Sequence, residues 1–593
     1  MTFTNRQQLV GSFGMVTSTH WLATASGMSI LERGGNAFDA AAAVGFVLQV
    51  VEPHLNGLGG EVPIIAFDAR EGRPFVVCGQ GTAPAAASIA GMHDLGLDII
   101  PGSGLLPACV PGAFGAWMEL LSNWGTKNVA DVLEYAIGYA QNGYPMLAGG
   151  ANAIEMVSEL FADHWPSSAA VYLNKKGAPT PGAPFSNKDL AQTYRRLVDA
   201  AKSGDREQGI DAARRAFYEG FVADQIEKFV TGTEAMDSSG VPHRGLLTAQ
   251  DMATWRATIE EPLTYEYRGR TVCKTGPWGQ GPVFLQQLAL LSGFDLDNTD
   301  PCDAEFVHTV VECAKLAFAD REAYYGDPEF VTVPMETLLS KAYNDARRQL
   351  ITETASRELR PGHVDGYSAH TASAVANSAR NGHQGGTGDP TVARSGHVSG
   401  DTCHLDVVDR WGNMVTATPS GGWLQSAPVV PGLGFCTTSR GQMFWLDEDS
   451  PSALAPGKRP RTTLTPSLVL EQDGSPEIAF GTPGGDAQDQ WTLLPFLHYV
   501  HHGLDLQEAI EAPSFHSTHF PSSFYPREAF PAQLHIEDRF PRETLQELAR
   551  RGHDVVENES WSLGRCTGVG IRDDGFLTAA ATQRGLQDYA AGR

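Results

Sequence analysis

Apolar positions near the start of the chain come first as a short run and then at helical steps, which predicts a strand at residues 15–18 and a helix over about 21–33. Gly34-Gly35-Asn36 stops that helix, since glycine takes the left-handed backbone of a C-terminal cap without strain. A second, alanine-rich helix follows, and Ala40 to Ala43 let it pack very closely against a neighbour. Gly57-Leu58-Gly59-Gly60 then reads as a turn into an alternating strand at 62–67. Residues 110–350 carry mostly helical periodicity, clearest at 113–124 and 306–325. Between those two stretches, residues 263–274 alternate like one strand and run into a glycine- and proline-rich loop at 276–282.

The pattern changes at residues 355–400, rich in Gly, Ser, Ala and His, a composition that predicts a disordered segment or a processing and lid loop. From Asp401 onward short strands are dense. A hairpin is predicted from 404–408 and 414–418 around Arg410-Trp411-Gly412-Asn413, another from 467–471 and 477–480, and a last one around Asp573-Asp574-Gly575. There is no internal repeat and no heptad array.

Composition narrows the class. With 593 residues, 42% of them hydrophobic, the chain can bury a large core, either as several domains or as one large layered one. The 64 glycines and 36 prolines imply many turns rather than long helical rods. A formal net charge of −26 argues against nucleic acid and against a polybasic membrane contact. The most apolar stretch, residues 40–51, falls short of the ~20 residues that a helix needs to cross a bilayer. No basic region followed by an apolar run opens the chain, so a soluble cytoplasmic protein is expected. The 8 cysteines include no CxxC pair, which fits reduced thiols and makes a zinc ribbon or disulfide scaffold unexpected.

Serine-elbow, P-loop, zincin and dinucleotide motifs are all missing. The junction Gly400-Asp401-Thr402-Cys403-His404 instead places a hydroxyl residue at the start of a strand, directly after the low-complexity segment. If the bond before Thr402 were cut, that residue would hold both a nucleophilic Oγ and a free α-amine, whose ordinary pKa of about 8 lets it act as general base. The bland alternative is a threonine that only starts a strand. A second feature is Gly481-Thr482-Pro483-Gly484-Gly485-Asp486, which follows a strand and opens a helical run at 487–502. Backbone N–H groups at such a turn can face a developing oxyanion, where one donor is worth ~3 kcal/mol. The pair His501-His502 and the run Glu448-Asp449 read as helix or surface features rather than a metal site. Cys403 is predicted to face away from Thr402, because side chains alternate along a strand.

These pieces, in this order, resemble the gamma-glutamyltransferase family of N-terminal-nucleophile hydrolases. The resemblance covers nearly the whole chain. It rests on Gly34-Gly35-Asn36-Ala37-Phe38-Asp39-Ala40, Val51-Glu52-Pro53-His54, Thr82-Ala83-Pro84, Val110-Pro111-Gly112, Ala319-Asp320-Arg321, Gly326-Asp327-Pro328, Asp401-Thr402, Lys458-Arg459-Pro460 and Pro483-Gly484-Gly485. What it implies is an α+β fold, a four-layer αββα sandwich formed by two autoprocessed subunits. The precursor would cleave itself between Asp401 and Thr402 into a large subunit, 1–401, and a small catalytic subunit, 402–593, which stay together as one interlocked domain. Thr402 would be the nucleophile, Gly484 and Gly485 would hold the oxyanion, and Ser420 stands where the family has a second threonine bonded to the nucleophile. The implied chemistry uses no cofactor and no metal, acts on a small molecule, and leaves open a higher oligomer of the heterodimer.

The substrate positions depart from the family. Gln80 occupies the place of an arginine that clamps the glutamyl carboxylate, and Trp445 that of an aspartate that holds the α-ammonium in the segment Gln442-Met443-Phe444-Trp445. Gly422 replaces an asparagine, and Thr462 and Thr463 replace paired serines. Each buried charged contact that is lost costs about 2–5 kcal/mol, so a glutamyl substrate is expected to be poor. Trp445, Phe444 and Trp423 are expected to form an aromatic wall instead. Relatives with altered pockets include oxamate amidohydrolases, cephalosporin acylases and enzymes that cleave a carbon–carbon bond in alkylproline natural products. A homologue that never processes and acts as a binding protein is the alternative of another class.

Overall fold

Two seven-stranded antiparallel sheets lie face to face in the computed structural model, which describes residues 4–370, 402–586 and 588–593. One sheet runs Tyr589–Gly592, Gly14–Ser18, Leu405–Asp409, Met414–Ala417, Val62–Asp68, Arg73–Gly79, Thr258–Glu260. The other runs Leu9–Gly11, Leu577–Ala581, Thr567–Ile571, Pro476–Gly481, Ser467–Leu470, Arg270–Lys274, Leu263–Tyr267. Each sheet takes strands from before residue 371 and from after residue 401.

Strand alternation sorts the side chains into three apolar layers, and with them the fold into four layers of structure. In the first sheet Val16, Ile64, Val407 and Val415 face a helical layer built on the helices Trp21–Glu32, Ala37–Val51 and Ala113–Trp124. Their neighbours Met15, Ile65, Val408 and Met414 face the second sheet, meeting Leu468, Ala479, Val569 and Ala579. The far side of the second sheet, through Val272, Val469, Ile478 and Phe480, packs on the helices Pro282–Leu291, Ala304–Tyr324 and Leu493–His502. The result is an αββα sandwich. Both faces of each sheet are covered, so its strands read as nearly continuous apolar runs.

Helix Ala37–Val51 is buried along its whole length. Asn36 caps it with Asp39 in a reciprocal box, and the preceding helix approaches closely at Gly27, where a Cβ would lie 2.6 Å from a Val44 methyl. Two expectations need correction. Residues 263–274 are not one strand but a hairpin, because Arg268 and Gly269 take positive φ of 55° and 78° and turn the chain in two residues. The helical run at 487–502 is broken into a 3-10 turn Gly485–Ala487 and two helices, Gln488–Trp491 and Leu493–His502. Of the low-complexity segment, residues 371–400 lie outside the described residues, as does Asp401. Among the described residues no helix is long and apolar enough to cross a membrane.

Candidate active site

Thr402 lies buried just ahead of the interior strand Leu405–Asp409, laid antiparallel against Ser420, which pairs in turn with Glu61. The Cys403 amide donates to the Pro419 carbonyl at 2.9 Å and fixes that register. The two hydroxyl oxygens, Thr402 Oγ1 and Ser420 Oγ, are 3.2 Å apart. Alternation turns Cys403 to the helical face, where its thiol donates to Glu52 at 3.0 Å and accepts from Asn56 at 3.0 Å. On the sheet face His404 bonds Thr418 at 3.0 Å and Asp406 at 2.9 Å.

Behind Ser420 stands a residue that sequence reasoning missed. Arg440, fully buried, donates to Ser420 Oγ at 2.9 Å and forms an ion pair of 2.5 Å with Glu61, whose other oxygen accepts from Thr438 at 2.9 Å. Its guanidinium lies over the Trp423 ring, 4.8 Å from the centroid. Burial pushes the Glu61 carboxyl above its ordinary value and Arg440 opposes it. A cation therefore sits one hydrogen bond from the hydroxyl that touches Thr402. It lowers the energy of negative charge on that pair of oxygens.

The glycine turn is aimed by buried charges. Gly484 adopts φ +132° and Gly485 φ +53°, and a Cβ on Gly484 would lie 2.1 Å from the Trp491 ring, so only glycine fits there. Asp486, next in line, is held at 2.5 Å by Arg321, and Lys274 holds Asp489 at 3.0 Å. Burial alone would raise the Asp486 carboxyl, but Arg321 keeps it below its ordinary value. The strand that feeds the turn crosses the His404 ring at Gly481, where a Cβ would be 2.2 Å from the imidazole. The turn is thus carried over the strand that begins just after Thr402.

The remaining positions divide. Gln80 is buried, its Nε2 reaches only the neighbouring Gly81 carbonyl at 3.4 Å, and its Oε1 has no partner among the described residues. Gln442 accepts from the Tyr525 amide at 3.1 Å and donates to the Gly102 carbonyl at 3.2 Å. Gly422, with φ +66°, packs under the Gly59-Gly60 turn. Thr462 is tied to the Trp278 carbonyl through its amide at 3.0 Å, and the buried Thr463 hydroxyl has no partner among the described residues.

The three aromatics expected to form a wall sit in different surroundings. Trp423 packs with Phe524 and Met443, and Trp445 is half-buried with the Arg527 guanidinium 4.0 Å above its ring. Phe444 points instead into a separate core with Ala83, Met92 and Leu106, because it and Trp445 diverge where the 3-10 turn Arg440–Met443 ends. His308, Glu312 and His553 cluster within 4.8 Å, but Glu312 is occupied by Lys315 at 2.6 Å and Arg360 at 3.0 Å and the two histidines bond each other.

A family model described as gamma-glutamyltranspeptidase matches residues 23–592. The chain belongs to the gamma-glutamyltranspeptidase family. Within it, a glutathione hydrolase-like YwrD proenzyme of Bacillus subtilis is 31% identical over 98% of each chain. A structure titled "Structure of LmbA2991HD" is 51% identical over the full length of both chains, with a TM-score of 0.93. The cephalosporin acylase from Bacillus halodurans is 28% identical, with a TM-score of 0.83 over 100% of this chain and 97% of that one. Gamma-glutamyltranspeptidase relatives of this chain are thus hydrolases and acylases, and at least one is named as a proenzyme.

Proposed function

We propose that the chain is a self-processing N-terminal-threonine amidohydrolase or acyltransferase whose acyl group is not glutamyl. The observation that carries the reading is the 3.2 Å approach of Thr402 Oγ1 to Ser420 Oγ just ahead of the strand Leu405–Asp409, backed by Arg440. In the precursor, Thr402 Oγ attacks the Asp401 carbonyl and the amide passes to an ester. That shift breaks the 401–402 C–N bond and frees the Thr402 α-amine; water then hydrolyses the ester, leaving a carboxylate on Asp401 and returning the hydroxyl to Thr402. In turnover the amine takes the Oγ proton as Oγ adds to the substrate carbonyl. The Gly484 and Gly485 amides receive the oxyanion, the leaving group departs with the proton, and water or an acceptor amine resolves the acyl-enzyme.

The substrate argument is one of charge. Gln80 offers a neutral side chain with an unmet acceptor oxygen, and the place of the ammonium-binding carboxylate is an indole with a guanidinium stacked on it. Neither suits an amino-acid zwitterion. The aromatic pair Trp423 and Phe524 favours a second reading in which the bond cut is carbon–carbon, in an alkylproline-type intermediate. Product analysis separates the two: an amine and an acid for the first, a shortened carbon skeleton for the second. The eight cysteines are all unpaired, which supports a reducing, cytoplasmic setting.

The test is denaturing electrophoresis with N-terminal sequencing, followed by mass spectrometry of the processed enzyme after exposure to a panel of acyl donors. Two bands, a new terminus at Thr402 and an acyl adduct on that residue are expected. A single 63.6 kDa band that forms no adduct overturns the reading. Turnover of γ-glutamyl-p-nitroanilide as fast as other donors overturns the non-glutamyl part alone.

A further inference from the structure

The loop that follows the second sheet's helices ties three parts of the site together. Ser523 donates to Asp486 through its amide at 2.7 Å and its hydroxyl at 2.6 Å, directly beside the Gly484-Gly485 turn. Phe524 joins Trp423 under Arg440, the residue that reaches Ser420. Tyr525 donates to Gln442. At the end of this loop Arg527 stretches its guanidinium across Trp445, and Nη2 spends both its N–H bonds on the carbonyls of Gln442 at 2.7 Å and Phe444 at 2.8 Å.

The rest of that guanidinium is unmet. Arg527 is only 3% exposed, yet neither Nε nor Nη1 has a hydrogen-bond partner among the described residues. Nearby carboxylates are already used. Glu322 is bonded by Arg321 at 2.7 Å and by Arg461 at 2.8 Å, and Asp486 is bonded by Arg321 and Ser523. Three arginines thus share two acids, and among the described residues Arg527 is the one left without a direct counter-ion. Burial, together with Arg461, brings its pKa down to about 9, which still leaves it cationic at neutral pH. A desolvated cation with open N–H bonds is costly unless an anion completes it. Among side-chain cations, arginine is the one suited to receiving a carboxylate while resting on an aromatic face.

We propose that Arg527, stacked on Trp445, is the specificity-determining residue that binds a carboxylate of the acyl donor, so that the enzyme acts on acids whose carboxylate lies away from the scissile carbonyl. This rests on the proposed acyl-transfer reading, and it inverts the charge preference at the position of Trp445. Gln80, with an open acceptor oxygen, would face a neutral N–H or O–H of the same substrate.

Two measurements test it. Matched p-nitroanilides, glutaryl against pentanoyl and succinyl against butyryl, are given to the processed enzyme and to its Arg527→Gln and Arg527→Lys variants. The parent should favour the acid of each pair in kcat/KM by about tenfold or more, Arg527→Gln should erase that ratio, and Arg527→Lys should restore part of it. An acid-to-neutral ratio that Arg527→Gln leaves unchanged overturns the proposal. Calorimetry with glutarate needs no turnover: at least about tenfold weaker binding to Arg527→Gln is expected, and equal binding, or none to the parent, overturns it. Arg527-dependent glutarate binding without any Thr402 adduct would remove the acyl-transfer reading and leave the anion site standing.

Discussion

Arg440 reaches Ser420 Oγ at 2.9 Å while its ion pair with Glu61 fixes the guanidinium, so the hydroxyl that touches Thr402 is held by a buried, clamped cation. Removing the cation strands Glu61. Arg440→Met should therefore lower stability by about 3–5 kcal/mol, read by denaturant unfolding, and slow the appearance of the Thr402 terminus on a gel. Glu61→Gln together with Arg440→Met should recover much of the stability but not the processing rate.

Thr402→Ala should leave the chain uncut, slowing processing by at least about 10,000-fold, because it removes the Oγ proposed to attack the Asp401 carbonyl. Thr402→Ser keeps Oγ and should process. Intact mass after a day at room temperature distinguishes the two.

Gly484→Ala meets both a backbone conformation closed to L-residues and the Trp491 ring at 2.1 Å. The variant should lose about 3 kcal/mol or more in denaturant unfolding and about 100-fold in kcat, because the turn must move and carry its amides with it. Relieving the clash with Trp491→Ala should restore some stability and little activity.

Glu52 provides a pH-dependent test. Burial, only partly offset by Arg565 and by the bonds from Thr19 and Cys403, pushes its carboxyl from 4.5 to about 7. The folded chain thus binds this proton more tightly than the unfolded one, and the stability gained is full below 4.5 and lost as pH rises through about 7. Glu52→Gln carries no such proton. Its stability relative to the parent should rise between pH 5 and pH 8, by up to about 3 kcal/mol in urea unfolding. His20 and His54, held by burial near 3, act in the opposite sense and weaken both proteins alike as pH falls below 6.5.

What could be read from the sequence follows the range of the forces involved. The alternation that sends Val407 to the helices and Val408 to the second sheet is written in consecutive residues, and so is the glycine turn ahead of Asp486. The 263–274 hairpin was hidden because Arg268, the first turn residue, is not one that ordinarily marks a left-handed backbone. Arg440 and Arg527 were hidden for another reason. Their meaning comes from Glu61 and Trp445, partners that only the folded chain brings near, and an isolated arginine in sequence looks like any other surface cation. Phe444 and Trp445 are adjacent, yet one is core and the other carries the Arg527 guanidinium on its ring, a difference that no local pattern marks.

The strand Leu405–Asp409 lies between Gly14–Ser18 and Met414–Ala417, in the interior of its sheet. A break in the chain just ahead of it would be mechanically silent, for the new end is stitched on both sides by neighbours that the break does not touch. The two fragments would melt as one body and separate only on full denaturation. Mixed afterwards, they would have no covalent memory of how to thread back together, so a molecule that is durable in use would be one that can be made only once.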